Sequence, residues 1–179
     1  YIGPLSRFEP ESTSRKTRNF ILALISGPEP QRSMFEKILS TQLSGLNVPA
    51  IVLTGKPGSN DETQTCGDVT LISHLPTREL QDLLYSASAV ICRPGYSTIM
   101  DLAATGTKAL LIPTPGQTEQ EYLAAYHEEK GHFAFMKQSE ANVAKGLDRL
   151  ETCKGITTMT NNKLLEEQIT SLINKIRKP

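Results

Sequence analysis

With 179 residues, 38% of them hydrophobic and 21% charged, the chain is long enough for one domain with its own core and has the composition of an ordinary globular protein. Nineteen Lys and Arg against nineteen Asp and Glu give a formal net charge of zero, which argues against a general nucleic-acid binder, and no apolar run approaches the ~20 residues of a membrane span. Cys66, Cys92 and Cys153 form no paired spacing and no metal motif, so a reduced, cytoplasmic compartment is the simplest reading. His127 and His132 stand five apart across Gly131, a poor spacing for chelation from one helical face, and no metal site is expected. The chain shows no amino-terminal signal pattern and does not begin with Met, as expected of a piece of a longer protein.

Taken in chain order, residues 1–18 read as a polar lead or linker, and residues 19–179 as one domain. A strand is expected at 20–25, followed by Ser26-Gly27-Pro28-Glu29-Pro30 and a helix at 29–43. A second strand at 50–54 leads into residues 55–67, whose glycine, proline and charge without apolar content predict an irregular loop. A strand at 69–73 ends in Ser73-His74-Leu75-Pro76, and a helix follows at 77–87. Next come a β-branched run at 89–92, a break at Pro94-Gly95 and a helix at 96–104 with apolar positions at Ile99, Leu102 and Ala103. A strand at 108–112 precedes the polar loop Pro113 to Gln117 and a helical pattern through Tyr122, Leu123, Ala125 and Tyr126. A short strand at 133–136 and helices at 141–152 and 161–176 complete the series. Alternating βα order with short links predicts an α/β fold: a Rossmann-like three-layer domain with a mostly parallel sheet and helices on both faces.

The chemistry concentrates at the carboxyl ends of these strands, where an open parallel sheet binds its ligands. Gly95 lets a ligand approach the backbone, and the first helical turn, Tyr96, Ser97 and Thr98, offers unpaired N–H groups at the positive end of the dipole, a setting for a diphosphate. Asp101 shares a helix face with Thr98, and its carboxylate is able to accept from both vicinal hydroxyls of a ribose. The same Asp also fits a plain solvated or dipole-stabilising role. In the next unit Gln117, Glu119 and Gln120 suit sugar hydroxyls. The first loop is a weaker anion nest, because Pro28 and Pro30 lack N–H donors, although Ser26, Gly27 or Arg32 are available as phosphate contacts. Arg78 and Arg93 read either as diphosphate contacts or as surface arginines.

The run CRPGYSTIMDLAATGTKALLIPTPGQTEQEYLA resembles the carboxyl-terminal, donor-binding domain of GT-B glycosyltransferases of the MurG type. The resemblance implies one half of a GT-B fold, with Gly95, Thr98 and Asp101 meeting diphosphate, sugar and ribose, and Gln120 contacting the donor sugar. Asp101 stands where the family usually has Glu, Glu121 where a second glutamine is usual, and Ala124 where Asn is common. By the same resemblance His74 or Leu75 lies against the nucleotide base. The implied activity is transfer of a hexose or N-acetylhexosamine from a nucleotide diphosphate, UDP above all, to an acceptor hydroxyl, with neither metal nor cofactor. An acceptor domain or partner subunit would supply the catalytic base, so no catalytic residue is named. A binding module without transfer activity, a separate donor subunit and a nucleotide-sugar epimerase using Glu119 and Glu121 are alternatives. Lys163, Lys175, Arg177 and Lys178 in the terminal helix and tail suit either a solvated helix end or peripheral contact with a membrane.

Overall fold

The structure, a computed structural model, describes residues 6–8, 19–56, 63–156 and 162–176. Four short apolar runs form its centre: β1 (Ile21–Leu24), β2 (Ala50–Leu53), β5 (Ala89–Cys92) and β6 (Ala109–Leu111). Near-continuous apolar character is what a strand covered on both faces requires. Two further strands, β3 (Thr63–Cys66) and β4 (Val69–Ile72), lie toward one edge, and β7 (Ala134–Phe135) forms the other.

The sheet order is β3-β4-β2-β1-β5-β6-β7, parallel throughout except for the β3–β4 pair. Chain order therefore runs outward from β1 to one side and then resumes at β5 on its other side. Leu24 is in register with both Leu53 and Cys92, so the carboxyl ends of β1, β2 and β5 are level, and the switch point falls between β1 and β5.

One face of the sheet is covered by α1 (Gln31–Leu43) and α5 (Val143–Leu150). Phe35, Leu39 and Leu43 recur every fourth residue and pack in one cluster with Ile21, Val52, Ile91, Leu110, Val143 and Leu150. The opposite face carries α2 (Thr77–Ser86), α3 (Tyr96–Thr105) and α4 (Thr118–Glu129). Leu84, Ile99, Leu102 and Ala124 close it over Leu22, Val90 and Leu111. Gly106, at φ 60°, ends α3 in the left-handed conformation. The last helix, α6 (Asn162–Ile176), leaves Ile169, Leu172, Ile173 and Ile176 exposed at helical spacing along one side. Among the described residues no helix is long and apolar enough to cross a membrane.

Two features depart from the sequence reading. Within the stretch read as an irregular loop, residues 63–66 form β3, antiparallel to β4 with Thr63 opposite Ile72 and Cys66 opposite Val69. All four residues are exposed, and the pairing comes from the β4 edge and the turn at Gly67, φ 59°, rather than from any apolar pattern. Residues 57–62 of that stretch lie outside the described residues. The polar lead also reaches into the core, for Phe8 is fully buried in the α2–α3–α4 cluster. Cys92 is buried on β5, where desolvation pushes its thiol pKa up to about 12.

At the far end of α4, His127 and His132 bring their Nδ1 atoms to 3.0 Å, with Phe133 against the His127 ring. The described residues hold no group of three or more His, Cys, Asp or Glu suited to a metal. Burial, and then the charge of His132, lowers the His127 pKa to about 4, and burial with Lys130 and Lys154 lowers that of His132. The folded state thus prefers both rings neutral. Their contribution is full above the unfolded pKa near 6.5 and is lost as pH falls from there toward 4. The melting temperature is expected to drop between pH 7 and pH 5, and to drop less in His127→Gln; an identical pH dependence in the variant would exclude the pair as its source.

Candidate functional site

The loops after β1, β5 and β6 converge at the switch point. Pro94 and Gly95 follow β5 directly, and Gly95 starts α3 in an extended conformation, φ −73°. A Cβ at Gly95 would meet only Thr98 Oγ1, at 3.8 Å, so there is space over the turn. The helix that follows has no side-chain cap and no acidic residue in its first turn. Ile99 N–H donates to the Gly95 carbonyl at 3.0 Å, and the amides of Tyr96, Ser97 and Thr98 have no protein acceptor among the described residues. Tyr96 and Ser97 are exposed, and Thr98 is half-buried. The orphan donors and the dipole of α3 therefore face solvent at the end of the central strand, a ready anion site.

The neighbouring helix starts differ. Glu29 caps α1, accepting from Ser33 N–H at 3.2 Å and Ser33 Oγ at 2.9 Å and pairing with Arg32, and these contacts lower its pKa. A carboxylate already occupies the positive end of α1. Arg32 also donates to the Thr54 carbonyl at 3.2 Å and is committed to this loop. Ser26 and Gly27 remain exposed on it, with Gly27 at φ 105°, and a side chain there would come within 3.9 Å of Thr114 Oγ1.

The loop after β6 is braced by α4. Gln120 Oε1 accepts from Thr114 N–H at 2.8 Å, while Gln120 Nε2 donates to Gln117 Oε1 at 3.0 Å. Glu121 Oε1 accepts from Gly116 N–H at 3.0 Å. Gln117 and Glu119 are exposed beside them. Thr114 Oγ1 is buried without a partner among the described residues. A cavity of about 420 Å³ opens next to this loop at the carboxyl ends of β6 and β7, lined by Pro113, Pro115, Glu121, Phe135, Lys137 and Gln138 among others. Its lining includes none of Gly95, Thr98 and Asp101.

Asp101 sits on α3 with 7% of its surface exposed. Both of its oxygens are engaged from the lead segment: Oδ1 accepts from Ser6 Oγ at 2.8 Å, and Oδ2 from Arg7 Nε at 3.2 Å, with Arg7 Nη2 also at 3.2 Å. Ser6 and Arg7 are site neighbours that local spacing did not reveal, some ninety-five positions away in sequence. The Arg7 side chain is half-exposed, a cation beside α3. His74, exposed at the end of β4, has its Nδ1 3.2 Å from Ser73 Oγ. Leu75 packs partly against the core cluster of that face. Arg78 is exposed. Arg93 is neither a surface arginine nor open to a ligand: it is 1% exposed, with its guanidinium on the α1 side of the sheet.

A mostly parallel, doubly covered sheet with an uncapped helix start at its switch point defines a Rossmann-like α/β domain. Residues 33–176 match the glycosyltransferase family 28 C-terminal domain, and the chain belongs to that family. It is 28% identical over 144 residues to an uncharacterized glycosyltransferase of Methanosarcina acetivorans, covering 78% of this chain and 37% of that protein. It is 31% identical over 108 residues to the UDP-N-acetylglucosamine--N-acetylmuramyl-(pentapeptide) pyrophosphoryl-undecaprenol N-acetylglucosamine transferase of Nocardia farcinica, covering 58% of this chain and 28% of that one. The chain thus spans about a third of the length of these relatives. In fold it is similar to MurG of Acinetobacter baumannii, with a TM-score of 0.61 at 17% identity over 97% of this chain and 54% of the other. It is also similar to ALG13, with a TM-score of 0.53 at 16% identity over 89% and 98% of the two chains.

Proposed function

We propose that this chain binds the nucleotide-diphosphate sugar, UDP-linked above all, for a glycosyltransferase that moves a hexose or N-acetylhexosamine to an acceptor hydroxyl. The observation that carries the reading is the start of α3: uncapped, free of acidic residues in its first turn and open above Gly95 at the switch point. There the diphosphate would accept from the amides of Tyr96, Ser97 and Thr98, and the helix dipole would stabilise the charge that grows on it as the sugar leaves. The half-exposed Arg7 adds a cation beside it. Ser26 and Gly27 would frame the phosphates from the β1 side, His74 or Leu75 the base, and Gln117, Glu119 and Gln120 the sugar.

The acceptor and the catalytic base would belong to a further domain or partner subunit. The apolar stripe of α6, Ile169, Leu172, Ile173 and Ile176, is a surface of the kind such a neighbour covers. The acceptor named for the Nocardia relative is lipid-linked, which favours action at the cytoplasmic face of a membrane. Titration of the chain with UDP, GDP, dTDP and UDP-N-acetylglucosamine, followed by calorimetry or ligand-observed NMR, tests the proposal. Saturation by one nucleotide is expected; saturation by none would overturn it.

Asp101 has a specific place in this reading. A ribose would take up the carboxylate by sharing it with, or replacing, Ser6 and Arg7. Asp101→Ala is then expected to weaken UDP binding by about 1–3 kcal/mol and to abolish any preference for UDP over 2′-deoxy-UDP. If the variant kept that preference, Asp101 would serve only to hold the lead segment.

A further inference from the structure

We propose that Arg93 supplies a buried positive charge that the donor's diphosphate neutralises, acting through the end of the sheet without touching the ligand. The inference rests on the donor-binding reading above. Arg93 follows β5 directly and stands two residues before Gly95, so its backbone adjoins the site while its side chain turns to the α1 side of the sheet. Nη1 donates to the Ile112 carbonyl at 2.9 Å, and Nη2 donates to the Gln138 side-chain oxygen and, at 3.4 Å, to the Gln31 carbonyl. The guanidinium carbon lies 3.9 Å from the centroid of the Phe35 ring.

Every one of these partners is neutral. Among the described residues no carboxylate forms an ion pair with Arg93, and its Nε–H is buried with no acceptor. Burial brings its pKa down to about 10, so the side chain is still charged at neutral pH. A buried ion held only by neutral groups carries a desolvation penalty that an opposite charge relieves. Fields in a poorly polarisable interior also reach further than in water. In sequence α3 begins three residues after Arg93, at the same end of the sheet but on its other face, so an anion bound there would experience the field of the cation through the protein interior.

A tether is the competing role, because Arg93 also ties the start of α1 to the end of β6 and to the short 3-10 helix Gln138–Glu140. The two roles separate in the affinity gained from phosphate, the ratio of UDP to uridine affinity. Three variants of the full chain, Arg93→Lys, Arg93→Gln and Gln138→Glu, would be titrated with uridine, UMP and UDP, with melting temperatures taken alongside. Arg93→Lys keeps the charge but not the fork. Gln138→Glu keeps the fork and gives Arg93 a counter-carboxylate in place, so it reports even where Arg93→Gln does not fold.

The expected result is a UDP-to-uridine ratio about tenfold lower in Arg93→Gln and Gln138→Glu and near the wild-type value in Arg93→Lys. A ratio unchanged in Gln138→Glu, or lost in Arg93→Lys to the same degree as in Arg93→Gln, would overturn the proposal in favour of the tether. Saturation of the wild-type chain by none of UDP, GDP, dTDP and UDP-N-acetylglucosamine would overturn the donor-binding reading and this inference with it. UDP binding by the wild type with unaltered variants removes only the inference.

Discussion

Phe8→Ala should destabilise the domain by about 3–5 kcal/mol, the usual cost of truncating a fully buried aromatic ring. Phe8 is 0% exposed and shares a cluster with Leu84, Leu102 and Phe133, where packing leaves little freedom for the surrounding side chains to collapse into the space of a lost ring. For a chain of this length the loss corresponds to a fall in melting temperature of about 6–20 degrees. A second effect comes from position. Phe8 N–H donates to Ser6 Oγ at 3.1 Å, and the Arg7 guanidinium lies 4.9 Å from the Phe8 ring centroid, so the ring anchors both partners of Asp101. The variant should therefore also release Ser6 and Arg7, seen as faster hydrogen exchange at residues 6–8. Melting within a degree of wild type would show that the lead segment is not part of the core.

Gly55→Ala is expected to cost about 2–4 kcal/mol, from two sources that add at one atom. Gly55 has φ 65°, a left-handed conformation that costs an ordinary residue about 1–2 kcal/mol. Its new Cβ would also lie 2.6 Å from the Ile25 carbonyl oxygen. That oxygen is backbone, and Ile25 N–H is itself bonded to the Leu53 carbonyl at 2.8 Å, so relief requires moving the ends of β1 and β2. Gly116→Ala provides the control: φ is 80°, but nothing lies within 4 Å of its Cβ, so the conformational part alone is expected. Equal losses in the two variants, measured by denaturant unfolding, would show that the close approach to Ile25 carries no weight.

The parts of this fold that sequence reveals are those whose cause is local. Each central strand is an apolar run of three or four residues, and α1 and α3 show their buried faces in their spacing. β3 was illegible because its four residues, Thr-Gln-Thr-Cys, are exposed and without an apolar pattern and owe their conformation to the β4 edge and the turn at Gly67. The candidate site divides in the same way. The strand, break and helix around Gly95 could be read from adjacent residues. The engagement of Asp101 by Ser6 and Arg7, and of Arg93 by Gln31, Ile112 and Gln138, spans 19 to 95 positions, and nothing in residue type announces it. Gln120 was legible as a polar residue beside the site, but its brace to Thr114 depends on the path of the loop.

The two outermost strands have a consequence for how the molecule behaves among copies of itself. At one side the rim is β3, four exposed residues that include two threonines and a glutamine; at the other it is β7, only two residues long. A long, flat, greasy rim invites a strand from another molecule to add on, and short or polar rims deny it. The interior strands, greasy enough to seed fibrils if bared, stay sealed between poor starting points for growth. The hazard of clumping therefore lies with the unfolding chain rather than with the native sheet.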